Sequence, residues 1–255
     1  MFVFSKRILK WFEGVNEFRF VFIRAPSGYG KSVYAIKVAL EVLKELNWDN
    51  VNEFFEKGLD WKNDRDLQLK FYQFLQKWLV YLPSEFVRKV RSIKRRIPLI
   101  IWEEIDYWLN TDNWRDPFVQ KTQKYLKVSR YDFACLIGTG IDDKAMIKRM
   151  RTMDKLIGDV LKRDDEYRRM VKVFRVKTRP WGSLDFKIRW IDHYSCYAPW
   201  YPVYYWFNKP YRELAKRELE IGLEQSKYRN IVFDREKALE EFRKRVIERK
   251  PSFYV

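Results

Sequence analysis

The sequence contains few cysteines, histidines and glycines, and it has no long run of uncharged residues. Its two cysteines, Cys135 and Cys196, lie in unrelated contexts. A disulfide framework or zinc site is therefore not expected, and a reducing cell interior is the default compartment. With one histidine, His193, catalysis or metal binding by imidazole is disfavoured. No stretch predicts a bilayer span, and the basic N-terminus lacks a signal peptide's apolar run and cleavage site.

The sequence is rich in positive charge and in aromatic side chains. Its 255 residues include 52 lysines and arginines against 35 aspartates and glutamates, a formal net charge of +17. This excess favours nucleic acid or another acidic surface as a partner. Hydrophobic residues make up 47% of the chain and aromatic residues 18%. That composition excludes a disordered chain and predicts a full hydrophobic core.

The strongest local pattern is APSGYGKS at residues 25–32, which has the spacing of a Walker A phosphate loop with Ala25 in place of the usual first glycine. An apolar, aromatic strand is predicted at 18–23 and a helix at 32–46, which is the context that this motif requires. Gly28 and Gly30 allow positive φ, so backbone N–H groups can turn toward one anion. The predicted nucleotide-binding residues are Ala25, Pro26, Ser27, Gly28, Tyr29, Gly30, Lys31, Ser32 and Val33.

Two side chains of this loop have predicted chemical roles. Lys31 can reach the β- and γ-phosphates of ATP, and the Ser32 hydroxyl can bind Mg²⁺. We expect Lys31 to be exposed when no ligand is bound. The alternative interpretation is a plain glycine-containing turn between a strand and a helix.

A second pattern, PLIIWEE at residues 98–104, places two acids directly after four apolar residues. This is the Walker B pattern, in which a buried strand delivers carboxylates to the edge where ligands bind. Glu103, where most families have aspartate, is predicted to hold Mg²⁺. Glu104 is predicted to be the general base that orients and polarises the attacking water. Asp106 is a rival for either role.

A later apolar stretch, Phe133–Ile137, predicts a further strand that is followed by Gly138, Thr139 and Gly140. Many ATPases place a polar γ-phosphate sensor at the end of the strand that follows Walker B, and Thr139 fits that position. An ordinary turn residue at the end of a strand is equally compatible with threonine. Asp142 or Asp143 is predicted to cap the next helix.

These motifs give the chain a resemblance to the additional-strand, catalytic-glutamate division of P-loop NTPases, which includes the RecA-like, AAA+ and FtsK/HerA families. It also resembles small ATPases encoded by archaeal viruses and plasmids, through APSGYGKS, YLPSEF before IPLIIWEE, VSRYDF, and DHYSCYAPW before a Tyr/Arg-rich helix. The nucleotide-site resemblance covers residues 18–151. It implies ATP hydrolysis in a hyperthermophilic host.

The resemblance also implies an oligomer whose arginine finger reaches a neighbouring subunit's γ-phosphate. In oligomeric motors of this division, such a finger often follows the sensor strand. Arg149 and Arg151, on the helix expected after Asp143, occupy that place, and Arg130 is a rival. Arginine suits this role because its planar fork stays charged and grips two oxygens. The alternative is that these arginines are surface charge or DNA contacts.

The predicted fold is a mostly parallel α/β sheet flanked by helices, with a C-terminal β-hairpin and helical extension. The predicted domains are an N-terminal amphipathic helix (1–17), a P-loop NTPase core (18–180) and an aromatic-rich extension (181–255). Shorter predictions are helices capped by Ser5, Ser84, Asp116 and Asp234, a strand at 79–82, a helix at 154–169, strands at 171–178 and 184–191, and a helix at 211–227. One of the last two strands is expected beside the first strand.

The aromatic segment at 192–210 has two interpretations. Its tyrosines and tryptophans can stack on bases, or they can pack as a local core or subunit interface, which we favour.

The leading functional prediction is a Mg²⁺-dependent ATPase that handles DNA in replication, packaging or translocation for an archaeal virus or plasmid. It would be a homo-oligomer in the cytoplasm or associated with the virion, and it would contact DNA mainly through phosphates. The alternative is a nucleotide-dependent switch or assembly ATPase that acts on a protein partner. A third is a nucleotide-binding structural protein, which Glu104 disfavours.

Overall fold

A computed structural model describes residues 1–14, 17–56, 59–110, 115–142, 155–163, 165–178, 184–220 and 235–247. Two compact units make up the chain. The first comprises Met1–Trp48 and Leu79–Cys196, and the second comprises Asp49–Trp78 and Tyr197–Val255. The predicted domain boundaries at residues 17 and 180 stay predictions.

Among the described residues, helices and strands alternate through most of the first unit. The strands are β1 (Arg19–Arg24), β2 (Leu79–Val80), β3 (Ile97–Trp102), β4 (Phe133–Gly140), β5 (Lys155–Lys162), β6 (Arg168–Thr178) and β7 (Leu184–Ser195). The α-helices are α1 (Val3–Glu13), α2 (Lys31–Glu45), α3 (Arg65–Trp78), α4 (Pro83–Ser92), α5 (Ile105–Trp108), α6 (Pro117–Leu126), α7 (Tyr201–Glu220) and α8 (Arg235–Ile247). Short 3₁₀ helices span Val51–Phe55 and Ser129–Tyr131. Of these described elements, the second unit contains α3, α7, α8 and the first 3₁₀ helix.

The strands of the first unit form one sheet in the order β2-β3-β4-β1-β5-β6-β7. Strands β1 to β5 are parallel, and β6 and β7 extend the sheet as antiparallel neighbours. This confirms the predicted fold class. Because β1, β3 and β4 are parallel, their carboxyl ends meet at one edge, where open α/β sheets bind ligands.

Helices cover both faces of the parallel part of the sheet. Helices α4, α5 and α6 bury apolar side chains on the face formed by β1, β3 and β4 residues such as Phe22 and Trp102. Helices α1 and α2 contact the sheet from the other face. Successive side chains along β3 and β4 point to opposite faces of the sheet, so these strands present side chains to helices on both sides. The central strands are therefore buried on both faces, as their apolar sequences require.

Helix α1 is held at both ends by polar contacts. At its amino end the buried Asp192 of β7 accepts hydrogen bonds from the N–H groups of Val3 (2.8 Å) and Phe4 (3.1 Å). At its carboxyl end Arg96 donates to four carbonyl oxygens at 2.5–3.0 Å, those of Trp11, Phe12, Gly14 and Glu17. The predicted Ser5 cap is wrong: Ser5 lies inside the helix, and its hydroxyl donates to Glu41.

Two further sequence-based predictions differ from the structure. The predicted helix at 154–169 is wrong, since Lys155–Lys162 is the strand β5 beside β1 and residues from Arg168 onward belong to β6. Strands β6 and β7 are therefore both extensions, and neither lies beside the first strand. Helix α4 begins after Leu82 rather than Ser84, and Glu85 accepts hydrogen bonds from the N–H groups of Tyr81 and Leu82.

The second unit is helical and aromatic. Ring pairs join α3 to the other helices, including Tyr72 with Phe207, and Tyr72 stacked on Phe242 at 4.7 Å between ring centroids. Helix α7 begins at Tyr201, ten residues before its predicted start, because the buried rings of Tyr204, Phe207 and Tyr211 recur at helical spacing. The helix predicted to be capped by Asp234 is α8, while Asp234 itself lies outside the described residues. Among described helices, none is both long and apolar enough to cross a membrane.

Candidate active site

Residues 25–30 connect β1 to α2 at the carboxyl edge of the sheet, as the phosphate-loop pattern predicts. Gly28 and Gly30 adopt positive φ values of 78° and 87°. At Gly30 an added Cβ would also come within 2.9 Å of the Cys196 Cβ. Only glycine therefore combines this backbone conformation with this close approach. The N–H groups at the start of α2 face the loop and provide an anion-binding end.

Lys31 lies inside the loop rather than in solvent. Its side-chain nitrogen is 3.3 Å from the Ala25 carbonyl oxygen and 3.3 Å from the Glu104 Oε1 atom. Only 6% of Lys31 is exposed, so the expectation that it is exposed without a ligand is wrong. The ammonium group is thus positioned at the centre of the loop before a phosphate arrives.

The Glu103 carboxylate lies beneath the loop, at the end of β3. Its Oε2 atom accepts hydrogen bonds from the Ser32 hydroxyl (2.8 Å) and the Thr139 hydroxyl (2.6 Å). Its Oε1 atom is buried and has no hydrogen-bond partner among the described residues. The structure therefore brings Ser32, Glu103 and Thr139 together from three separate segments of the chain.

This arrangement suits a divalent cation. A buried carboxylate oxygen without a donor and an adjacent serine hydroxyl are the hard oxygen ligands that Mg²⁺ prefers. Among the described residues, no group of three or more His, Cys, Asp or Glu side chains could hold a metal ion. A magnesium ion held by Ser32 and Glu103 would thus need water and nucleotide phosphates as its other ligands, as is usual for this ion.

The pKa of Glu103 is raised from 4.5 to about 7, mainly because the group is buried. The hydrogen bonds from Thr139 and Ser32 and the Lys31 charge oppose this rise, and the negative charge of Glu104 adds to it. Without a cation, this carboxyl group is therefore partly protonated near neutral pH. A cation that binds to it favours the ionised form.

Glu104 is the second acid after β3, and its backbone is in the left-handed region with φ 49°. Non-glycine residues rarely adopt this conformation, and those that do are often found at functional sites. Its N–H group donates to the Thr139 hydroxyl oxygen at 3.2 Å, and its carboxylate contacts Lys31. Burial raises the pKa of Glu104, while the nearby Lys31 charge lowers it.

Thr139 lies at the end of β4, where a phosphate sensor is predicted. Its hydroxyl group donates to Glu103 and accepts from the Glu104 N–H group, and the residue is fully buried. In this arrangement Thr139 positions both acids. Its role as a direct phosphate contact stays a prediction.

Asp106 faces the segment after β4 instead of the phosphate loop. Its Oδ2 atom accepts hydrogen bonds from the N–H groups of Ile141 (2.7 Å) and Asp142 (3.2 Å). A Cβ added at Gly140 would come within 2.3 Å of the Asp106 Oδ1 atom, so glycine is needed there. These contacts favour a positioning role for Asp106 over the catalytic role for which it is a rival.

The structure adds a residue that the sequence patterns did not indicate. Tyr194 of β7 is 6% exposed, and its hydroxyl group donates to the Gly30 carbonyl oxygen at 2.9 Å. The antiparallel end of the sheet thus supports the phosphate loop from behind. The only sequence signal was an apolar and aromatic alternation around Trp190, which does not say what Tyr194 contacts.

Of the three arginines considered as fingers, only Arg130 lies among the described residues. Arg149 and Arg151, together with Asp143, lie outside the described residues. Arg130 precedes β4 and is exposed. It is therefore at the opposite end of that strand from Thr139 and from the phosphate loop of its own chain.

The position of β4 decides which kind of phosphate-binding fold this is. Strand β4 lies between β1, which leads into the phosphate loop, and β3, which delivers the two acids. The fold is that of a P-loop NTPase. The strand inserted between the two motif strands is the additional strand of the division that the sequence resembles.

Comparisons with known proteins give only distant similarities. No family model and no curated protein matches this P-loop chain. It is similar to the N-terminal domain of zonular occludens toxin from Neisseria meningitidis, with 10% identity, coverage of 69% of this chain and 95% of that chain, and a TM-score of 0.34.

Two other solved structures are similar at the same level. The genome-packaging NTPase of Sulfolobus turreted icosahedral virus 2, in complex with AMPPCP, has 11% identity, coverage of 67% and 97%, and a TM-score of 0.33. A KaiC-like protein from Pyrococcus horikoshii OT3 has 12% identity, coverage of 66% and 89%, and a TM-score of 0.36. Similarity this low shows nothing about the function of this chain.

Proposed function

We propose that this protein is a Mg²⁺-dependent ATPase that handles the DNA of an archaeal virus or plasmid, in replication, packaging or translocation. The observation that supports ATP hydrolysis best is the convergence of Lys31, Ser32, Glu103 and Glu104 beneath one phosphate loop. The excess of basic residues supports nucleic acid as the partner. The type of host is proposed on the sequence resemblance alone.

Each of these residues has a distinct role in the proposed reaction. The loop N–H groups and Lys31 bind and orient the β- and γ-phosphates. Ser32 and Glu103 would hold Mg²⁺, which when bound neutralises phosphate charge. Glu104 accepts the proton of the attacking water. Burial raises the pKa of Glu104, which makes it a stronger base for that task. Thr139 positions both glutamates, because its hydroxyl group donates to the Glu103 carboxylate and accepts from the Glu104 backbone N–H group.

Two substitutions test the assignment of these roles. We expect Lys31→Ala to abolish nucleotide binding or turnover, and Glu104→Gln to bind ATP but hydrolyse it at least about a hundredfold more slowly. Calorimetry measures binding, and phosphate release measures turnover. Asp106→Asn is the matched control, because Asp106 faces the segment after β4. Unchanged ATP affinity in Lys31→Ala, or damage by Asp106→Asn with a silent Glu104→Gln, would contradict the assignment.

A second candidate function is a slow nucleotide-dependent switch or assembly factor that acts on a protein partner. The contact between Glu104 and Lys31 favours it, because a base engaged by the phosphate-binding lysine is not free to activate water. Stimulation of the ATPase rate by DNA, lost as salt rises, distinguishes the first candidate from the second.

We also propose that the active form is a homo-oligomer in which Arg149 or Arg151 completes a neighbour's site. Mixing Lys31→Ala subunits with Arg151→Ala subunits tests this, because an intact loop would then meet an intact finger. The same mixture is made with Arg149→Ala. Recovered activity supports shared sites, and no recovery in either mixture opposes them.

A further inference from the structure

Helices α4 and α6 are neighbours on one face of the sheet. The Phe86 ring of α4 stacks on Trp102 of β3 at 4.4 Å between ring centroids, and Phe118 of α6 meets the same tryptophan at 6.4 Å. Phe86 also contacts Tyr125 of α6 at 6.2 Å. The two helices therefore pack side by side on the sheet, and their outer sides are next to each other.

The charged residues exposed on their outer sides, from Pro83 to Arg95 and from Pro117 to Arg130, are all basic. Four residues belong to α4 and the turn that follows it, and four belong to α6 and the turn that follows it. All eight are exposed, and together they form what we call the α4–α6 basic surface: Arg88, Arg91, Lys94, Arg95, Lys121, Lys124, Lys127 and Arg130.

The acids of these segments do not neutralise that surface. Glu85 and Asp116 are buried, and each accepts backbone N–H groups at the start of its helix. Asp132, which follows, accepts a hydrogen bond from the Tyr125 hydroxyl. Within the described part of the chain, none of the eight basic residues forms an ion pair with a carboxylate.

The net positive charge of the whole chain is distributed unevenly between the two units. The first unit carries 34 lysines and arginines against 20 aspartates and glutamates, a net charge of +14. The second unit carries 18 against 15, a net charge of +3. Positive charge is thus concentrated in the unit that contains α4 and α6, where its self-repulsion opposes folding unless a partner compensates it.

We propose that the α4–α6 basic surface binds the phosphate backbone of nucleic acid. The inference rests on the proposed DNA-handling function and adds where that contact is made. Half of the eight residues are arginines, whose planar forks match phosphate oxygens. An anionic membrane fits less well, because helices that lie on membranes insert an apolar face, whereas α4 and α6 pack theirs on the sheet.

Paired alanine variants test this surface. Arg88→Ala/Arg91→Ala and Lys121→Ala/Lys124→Ala each remove two charges from it. Lys187→Ala/Arg189→Ala is the matched control, since it removes two exposed charges from β7. All four residues of the first two variants lie away from the phosphate loop, so ATP affinity without nucleic acid should stay unchanged and reports correct folding.

The measurement is fluorescence anisotropy of a short labelled DNA duplex between about 50 and 200 mM salt. Each phosphate contact contributes about 0.9 to the slope of log affinity against log salt concentration. We therefore expect each surface variant to reduce that slope by about 1.8 and to weaken binding by about tenfold or more, while the control changes binding less than about twofold.

The possible outcomes separate this inference from the proposed function. If the wild-type protein binds DNA and the surface variants match the control, the surface assignment is wrong and the DNA task stands. If the wild-type protein binds neither duplex nor single-stranded nucleic acid, both are wrong. Binding to vesicles of anionic phospholipid, without binding to nucleic acid, would replace the proposed partner with a membrane.

Discussion

The hydroxyl group of Tyr194 should affect nucleotide affinity although it cannot touch the nucleotide's reacting atoms. It donates to the Gly30 carbonyl oxygen at 2.9 Å, at the point where the left-handed Gly30 ends the phosphate loop. Tyr194→Phe removes this hydrogen bond and keeps the ring, which lies 5.1 Å from the Tyr34 ring between centroids. The substitution thus removes only the contacts of one hydroxyl group behind the loop, namely this bond and a longer one of 3.5 Å to the Tyr29 carbonyl oxygen.

The expected magnitude follows from what the Gly30 carbonyl retains. It still accepts the N–H group of Tyr34 at 3.0 Å, so the Gly30 carbonyl oxygen is not left unsatisfied. The loss is then that of one ordinary hydrogen bond, about 1 kcal/mol in the free energy of unfolding. If the bond holds the loop ready for phosphate, up to the same free energy is lost from binding, which weakens affinity by about fivefold.

A matched control separates loop positioning from general stability. Tyr125→Phe removes a hydroxyl that donates to Asp132 at 2.6 Å, before the amino end of β4 and so at the opposite edge of the sheet. It should lower stability at least as much and leave nucleotide affinity within about twofold. Calorimetric titration with a non-hydrolysable ATP analogue measures the affinity of each variant, and thermal unfolding measures its stability. Equal affinities in the two variants would refute the reasoning.

Two further predictions concern stability. Because burial raises the pKa of folded Glu103 to about 7, folding takes up a proton between pH 4.5 and about 7. The stability associated with it is present below pH 4.5 and lost as pH rises through 7. Thermal unfolding without metal should show wild type losing about 3 kcal/mol relative to Glu103→Gln across that window, and parallel curves would contradict this. Arg96→Ala leaves the carbonyls at the end of α1 without their donor and should lower stability by about 2 kcal/mol or more, whereas exposed Arg91→Ala should change it by less than about 0.5 kcal/mol; equal melting temperatures would contradict this.

The sequence predicted those parts of the site that local patterns encode. The phosphate loop, the strand before Glu103 and the strand that ends at Thr139 each combine an apolar run with a polar or glycine-containing end. Their meeting at one edge follows from parallel pairing, which the strand–helix alternation already indicates. The sequence alone therefore predicts that Lys31, Ser32, Glu103 and Thr139 meet at one site.

The strand β5 could not be predicted in this way, for a physical reason. In KLIGDVLK, Leu156, Ile157 and Val160 are spaced as on a helix, and charges flank them. Strand β5 lies between β1 and β6, and Leu156 and Val160 are buried on one side and Ile157 on the other, while Leu161 and Lys162 at its end are exposed. An alternating pattern needs one solvated face, and the three buried apolar residues of this strand are divided between its two faces.

Tyr194 and Asp192 were missed because their partners are distant in the sequence. Asp192 caps α1 and accepts a hydrogen bond from the Tyr34 hydroxyl at 2.7 Å, although Val3 of α1 is 189 residues away in the sequence. No spacing rule connects residues so far apart. Such contacts depend on the end of the sheet formed by β5, β6 and β7, where β6 is antiparallel to β5 and β7 is antiparallel to β6.

The contact between Lys31 and Glu104 suggests how substrate could prepare its own hydrolysis. Without nucleotide, the ammonium group is shared between the Ala25 carbonyl oxygen and the Glu104 carboxylate, and it lowers the pKa of that carboxyl group. A bound triphosphate carries more negative charge than one carboxylate and attracts the same ammonium group. As Lys31 turns toward the phosphates, Glu104 loses its cation, its pKa rises because burial is no longer offset, and it becomes a stronger base. In the proposed ATPase, occupancy of the phosphate loop therefore both positions the γ-phosphate and releases the group that activates water.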